Sequence, residues 1–146
     1  MPLSLSVVTA ARTIIQRDDV LRLVVPTTEG QITVLPAHAA LMSSIGMGEM
    51  LAYLPGGEVL PMAVFGGFIQ VVHDQVTVLA DAAERAEDIN EERAEAARER
   101  AARRMAGQHA GPEALNLVRA RLSMERALVR LRVRRRRSAT GVPSMR

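Results

Sequence analysis

Between Val64 and Ala94 the sequence changes its preferred conformation, and that change limits the chain to two unlike modules. Up to Leu79 the residues are apolar and rich in β-branched side chains; from Asp81 onward they are mostly alanine, glutamate and arginine, which favour helix. Phe65-Gly66-Gly67-Phe68 sets two glycines inside an apolar run, the mark of a bulge or a close backbone approach. Ile69 to Val72 and Val76 to Leu79 flank His73-Asp74-Gln75 and predict a tight hairpin. Asp81 with Glu84 three residues on matches the reciprocal capping pattern, so a helix is predicted from about Ala82.

Upstream, short strands alternate with turns. Leu3, Leu5 and Val7 alternate with Ser4 and Ser6, a half-buried strand. Thr13 to Ile15 is a second strand, and Val20 to Val25 a third, stopped by Pro26. Thr27 to Gly30 is a turn, and Ile32 to Leu35 leads into Pro36. Residues 35–50 read as a loop followed by extended chain, because Gly46 and Gly48 oppose a helix. Leu51 to Leu54 and Val59 to Val64 flank a Pro55-Gly56-Gly57-Glu58 turn. Seven of the ten glycines and five of the seven prolines fall before residue 81, so residues 1–81 are predicted to form a β-sandwich or barrel.

Downstream the reading is a two-helix antiparallel hairpin over residues 82–133. The first helix runs from about Ala82 to Met105, and the second from about Glu113 to Val133. Gly107 and Pro112 supply the stop and the restart. Glu95 with Arg98, and Glu99 with Arg103, are spaced for intrahelical pairs worth roughly 0.3–0.5 kcal/mol each. Leu115, Val118, Leu122, Val129 and Val133 share one face of the second helix; Leu117, Met124, Leu128 and Leu131 lie nearly opposite, which predicts contacts on two sides. Residues 134–146 read as a basic, disordered tail.

Charge is divided as sharply as conformation. Residues 1–80 hold three arginines and six acids, residues 81–99 three arginines and eight acids, and residues 100–146 thirteen arginines and two acids. The chain has no lysine, so the lysine-containing phosphate loop GxxxxGK[ST] is absent. It has no cysteine, which removes disulfides and thiolate chemistry. No apolar run approaches the roughly 20 residues that span a bilayer, and the N-terminal residues lack the features of a signal peptide; a protein kept in the cytoplasm, or attached to a membrane only through partners, is expected. His38, His73 and His109 stand alone without ligand-spaced partners, and no serine lies in a nucleophile elbow. No catalytic residue and no metal site is therefore predicted. The arginine-rich half leaves one alternative open, a free nucleic-acid-binding module. It contains no aromatic residue for base stacking, which weighs against that reading.

The order of these pieces resembles a known family. A Glu29-Gly30 turn precedes LPAHAAL at residues 35–41. The strand AVFGGFIQV follows at residues 63–71, then VTVLADAAERAEDI at residues 76–89, then an alanine–arginine hairpin. Over residues 1–133 this is similar to the epsilon-subunit family of F-type ATP synthase. Thr33 departs from the family's usual second glycine, Asn90 from its aspartate, and the RVRRRR run matches no role in the family. The resemblance implies a sandwich of about ten strands followed by two helices. It implies a non-catalytic central-stalk subunit that couples proton translocation to ATP synthesis and inhibits ATP hydrolysis through its helices. The partners would be the gamma subunit, the c-subunit ring and, with the hairpin extended, the alpha and beta catalytic subunits, with no nucleic acid. The subunit would sit peripherally on the cytoplasmic face of the membrane.

Site residues follow from the same resemblance. Glu29, Gly30 and His38 would contact the stalk and c ring. ATP would be a regulatory ligand of the folded hairpin. The family's Ile-Asp-x-x-Arg-Ala reads here as Ile89, Asn90, Glu91, Glu92, Arg93 and Ala94, and Glu84, Arg100, Arg119, Arg126 and Arg130 match the remaining positions. Helical geometry places Arg119, Arg126 and Arg130 within about 40° of one another. Two arginine faces brought together would repel unless an anion or water lay between them.

Overall fold

The computed structural model describes residues 1–107 and 113–139, with side chains from 117 to 136 in the second helix. Eight strands come first: β1 (Leu3–Val8), β2 (Thr13–Val20), β3 (Arg22–Thr27), β4 (Gly30–Val34), β5 (Leu41–Tyr53), β6 (Val59–Val72), β7 (Gln75–Ala80) and β8 (Ala83–Arg85). Two helices follow, α1 (Glu91–Met105) and α2 (Glu113–Ala139). The strands form one hydrogen-bonded sheet in the order β2-β1-β7-β6-β5-β3-β4, with β8 also paired to β6. All pairs are antiparallel except β1 with β7.

Eight strands stand where about ten were expected, and β5 and β6 run unbroken for 13 and 14 residues. β5 tolerates Gly46 and Gly48 because β3 lies close there. A Cβ on Gly48 would come within 3.0 Å of the Pro26 Cβ, and one on Gly46 within 3.2 Å of the Thr27 carbonyl oxygen. The second strand extends to Val20, so the third begins at Arg22 rather than Val20. The sheet closes over an aliphatic core. Leu3, Leu5 and Val7 from β1 are fully buried against Leu23, Val25, Met50, Met62, Ile69 and Val78. Every residue of this core lies between positions 3 and 83, so no helix residue contributes to it.

The junction differs from the sequence reading. Asp81 does not cap a helix: its N–H donates to the Gly66 carbonyl at 3.1 Å, and Phe65 N–H donates to the Ala82 carbonyl at 2.9 Å. β7 and β8 run along β6 as one strand kinked at Asp81-Ala82, opposite Phe65 and Gly66 and next to the pair of Gly67 with Ala80. Both glycines have positive φ, 81° and 121°, and Gly67 lets β6 approach Leu79 and Ala80. Residues 83–85 are good helix formers, but pairing with β6 satisfies their backbone groups and overrides that preference. A 3-10 turn (Ala86–Asp88) follows, and α1 starts at Glu91.

Asn90 is the true N-cap of α1. Its Oδ1 accepts the Arg93 N–H at 2.9 Å, and Glu91 and Glu92 complement the helix dipole in the first turn. Asn90→Ala is expected to cost about 1 kcal/mol, read as faster amide exchange in the first turn of α1. Asn90→Asp should keep the cap.

At the other end, α2 continues to Ala139, so residues 134–139 are helix and not part of a disordered tail. His109, the connector from Gln108 to Pro112 and residues 140–146 lie outside the described residues. Among the described residues no helix is long and apolar enough to cross a membrane.

Candidate functional site

The hairpin meets the sheet on a row of three cross-strand neighbours. Register places Glu49 of β5 opposite Ala63 of β6, and Ala63 opposite Glu84 of β8. Ala63 is fully buried, and the small side chain leaves room for α2, whose Val129 and Val133 pack on it with Ala86 and Ile89. A carboxylate therefore stands on either flank of the helix. Arg130 takes Glu84 in a fork, Nε to Oε2 at 3.0 Å and Nη2 to Oε1 at 3.0 Å, while its guanidinium carbon lies 4.8 Å from the Phe65 ring centre. Arg136 Nε meets Glu49 Oε1 at 2.8 Å, and this bond holds the Arg136 pKa above its usual value.

The helices pack through small residues. Ala94 and Ala101 of α1, and Ala120 and Ala127 of α2, are buried at heptad spacing, which allows close approach of the two backbones. Arg135 then reaches Glu91 at 3.3 Å and Glu95 at 3.4 Å across the pair. Arg98 also holds Glu95, and this bond keeps the Glu95 carboxyl below its usual range. The expected two-sided contact of α2 is met near its C-terminus, where Val129 and Val133 face the sheet and Leu131 is buried. Nearer its N-terminus, Leu117, Val118 and Leu122 are exposed instead.

Between β8, α1 and α2 lies a cavity of about 330 Å³, lined by Glu84, Asp88, Ile89, Asn90, Arg93, Ala94, Ala97, Arg100 and Arg130. Its size is at the lower end for small-molecule sites. Seven of the nine residues matched to the ATP site thus lie together. Arg119 and Arg126 do not line the cavity: Arg119 is exposed, and Arg126 is half-buried elsewhere on α2. The expected clash of arginine faces is relieved by a carboxylate, since Glu84 neutralises Arg130. For an incoming anion, Arg93 and Arg100 carry no ion pair among the described residues, and the Asn90 amide N–H₂ is unused. These donors suit phosphate oxygens. Asp88 was missed. It adjoins the matched motif and ion-pairs with Arg85 at 3.2 Å.

The other matched residues gather at one end of the sheet. Glu29 is exposed at the β3–β4 turn, where the Thr28 N–H donates to the Ser44 carbonyl of β5 at 3.2 Å. Gly30 has φ 122°. His38 lies in the loop entering β5 three residues ahead of Leu41, and its Nδ1 is 2.7 Å from the Ala39 carbonyl oxygen. The Ala37 N–H donates to Asp74 Oδ1 at 2.6 Å, which ties this loop to the β6–β7 turn beside His73. Both segments therefore meet the first four residues of β5. Nearby, Met42, Phe68 and Leu79 are exposed on one outer face of β5, β6 and β7; register makes Phe68 and Leu79 direct neighbours. Sequence alternation alone did not single out this strip. Among the described residues no group of three or more His, Asp or Glu is arranged to hold a metal ion.

Comparison with known proteins decides the family. Residues 2–86 match the model of the ATP synthase delta/epsilon chain β-sandwich domain, and residues 87–134 that of its long α-helix domain. The chain belongs to the ATP synthase delta/epsilon family. The ATP synthase epsilon chain of Herpetosiphon aurantiacus is 40% identical over 133 residues, covering 91% of this chain and 94% of its own. That of Chloroflexus aggregans is 49% identical over 98 residues, 67% and 69% of the two chains. The fold is similar to a chain of the Euglena gracilis mitochondrial ATP synthase (OSCP/F1/c-ring), with TM-score 0.68 at 20% identity, covering 95% of this chain and 81% of that one. It is also similar to a chain in the central stalk and c ring of the Tetrahymena thermophila enzyme, with TM-score 0.55 at 11% identity, covering 94% and 97%. The division between the two family models falls just after β8, where the sheet ends and the chain turns into the hairpin.

Proposed function

We propose that this chain is a non-catalytic subunit of the central stalk, held peripherally on the cytoplasmic face of the membrane. Its sheet docks on the gamma subunit and the c ring. Its hairpin leaves the sheet to restrain ATP hydrolysis at the alpha and beta subunits. The observation that carries the reading is the separation of the two cores: the sheet is complete without the helices, and the helices attach through one small apolar cluster and ion pairs at its edge. Such an attachment can open without unfolding the domain. The exposed Met42, Phe68 and Leu79 strip suits an apolar face of gamma, and the Glu29, Gly30 and His38 end suits the ring. Pull-down of the chain from its own membranes should recover gamma and c subunits; recovery of neither rejects the stalk assignment.

The cavity is assigned to ATP as a regulatory ligand. Triphosphate would take Arg93 and Arg100, with Asn90 donating, and would favour the closed hairpin by binding it and not the open one. Calorimetry with magnesium-free ATP should give a saturable heat at millimolar concentration. A charge-assisted bond contributes about 1.5–3 kcal/mol, so Arg93→Ala or Arg100→Ala should raise Kd roughly tenfold or more. Arg126→Ala should leave Kd unchanged. No heat, or equal loss in all three variants, removes ATP from the cavity.

A further inference from the structure

The RVRRRR run, Arg132 to Arg137, is the one strong motif that the family role leaves unused. Its placement on the described helix gives it one. On α2, Arg130 and Arg136 project about 120° apart around the axis, on opposite flanks of the Val129–Val133 line. Those two residues seat the helix on Ala63, and the flanking cross-strand neighbours of Ala63 are Glu84 and Glu49. Each flank thus has one arginine and one carboxylate: Arg130 with Glu84, and Arg136 with Glu49. Glu49 is unusual for an acid, since its side chain is only 10% exposed beneath the helix. Its Oε2 is buried without a hydrogen-bond partner, and its Oε1 is held by Arg136. Arg134 adds a bond from Nη1 to the Ala86 carbonyl at 3.3 Å, and Arg135 holds α1 through Glu91 and Glu95.

We propose that Arg134, Arg135 and Arg136 of this run form an intramolecular latch, with Glu49 as the catch of Arg136, that holds the hairpin closed on the sheet without any ligand. Opening the hairpin strips Glu49 and Arg136 of their shared bond. Water must then reach Glu49 before its charge is compensated. Glu49 is the desolvated end of this pair and Arg136 the solvated one, so the cost of opening is that of a buried carboxylate left uncompensated until water reaches it. The carboxylate row also fixes the docking position: sliding α2 along the sheet would place neither arginine against its acid. The latch concerns how the hairpin is held and stands whether or not the hairpin regulates hydrolysis or binds nucleotide.

The test is amide hydrogen exchange on the full nucleotide-free chain. The wild type should already protect α2 amides between residues 120 and 136 in the absence of ATP. Glu49→Gln keeps the side-chain shape and removes the charge; Arg136→Gln removes the other partner. Each should accelerate exchange in α2 at least tenfold, with the core amides of β1, β6 and β7 unchanged. The double variant should exchange no faster than the faster single variant, because the two residues share one interaction. Arg132→Gln removes the same charge from an exposed position of the same helix and should have no effect. The proposal is overturned if α2 stays protected in Arg136→Gln or if Arg132→Gln acts as strongly. It is equally overturned if the single effects add, if wild-type protection requires ATP, or if the sheet loosens together with α2.

Discussion

Gly67→Ala is expected to unfold the sheet or lower its melting temperature by about 15 °C or more. The residue sits where β6 passes the kink between β7 and β8, at φ 121°, which side chains avoid. A Cβ there would run into the Leu79 carbonyl oxygen and come within 2.8 Å of the Ala80 Cα. These are backbone atoms of a paired strand and cannot rotate away. Strain and overlap together place the substitution in the exceptional class, about 4 kcal/mol or more, against a total stability of roughly 5–15 kcal/mol for such a domain. Gly56→Ala is the control. Gly56 also has positive φ, 80°, but nothing lies within 4 Å of its added Cβ. Only the left-handed backbone cost remains, about 1–2 kcal/mol. Equal melting temperatures for the two variants would show that the close approach at Gly67 is not what holds the kink.

That kink is also where the sequence was hardest to read. The strands β1, β3 and β4, the Pro55 turn and the β6–β7 hairpin follow from alternation and turn residues, which are local signals. β8 is a non-local fact. Asp81 to Arg85 carries a helix-capping pattern and helix-forming residues, and only the free edge of β6 turns it into a strand. The Gly66-Gly67 pair signalled a close approach, but not which segment would approach. The C-terminal end of α2 failed for a related reason. A run of arginines reads as disorder until the sheet supplies Glu49 and α1 supplies Glu91 and Glu95. In the cavity, Ile89, Asn90, Arg93 and Ala94 of the matched motif lie together because a helix start is a compact local unit. Arg119 fell outside because a shared helical face says nothing about height. It stands about 16 Å along the axis from Arg130, the residue of α2 that lines the cavity.

Removing the hairpin after Asp88 is expected to produce the second large effect, on the activity of the assembled enzyme. The cut keeps β8 and its pairs with β6, so the sheet core, all of it before residue 84, is retained. A cut at Ala83 would remove β8 and is a poorer test. If the hairpin restrains hydrolysis, its loss should raise ATP hydrolysis by an amount set by a coupling free energy. Such energies are typically about 1–3 kcal/mol, or roughly 5- to 150-fold. Proton-driven synthesis depends on the docked sheet and should persist. The direct measurement is the ATPase rate of the enzyme reassembled with the full chain against that with residues 1–88, at equal incorporation. A rise of about fivefold or more is the result expected of a regulatory stalk subunit. Equal rates at equal incorporation would contradict it, leaving a docked sheet whose hairpin has no hold on catalysis.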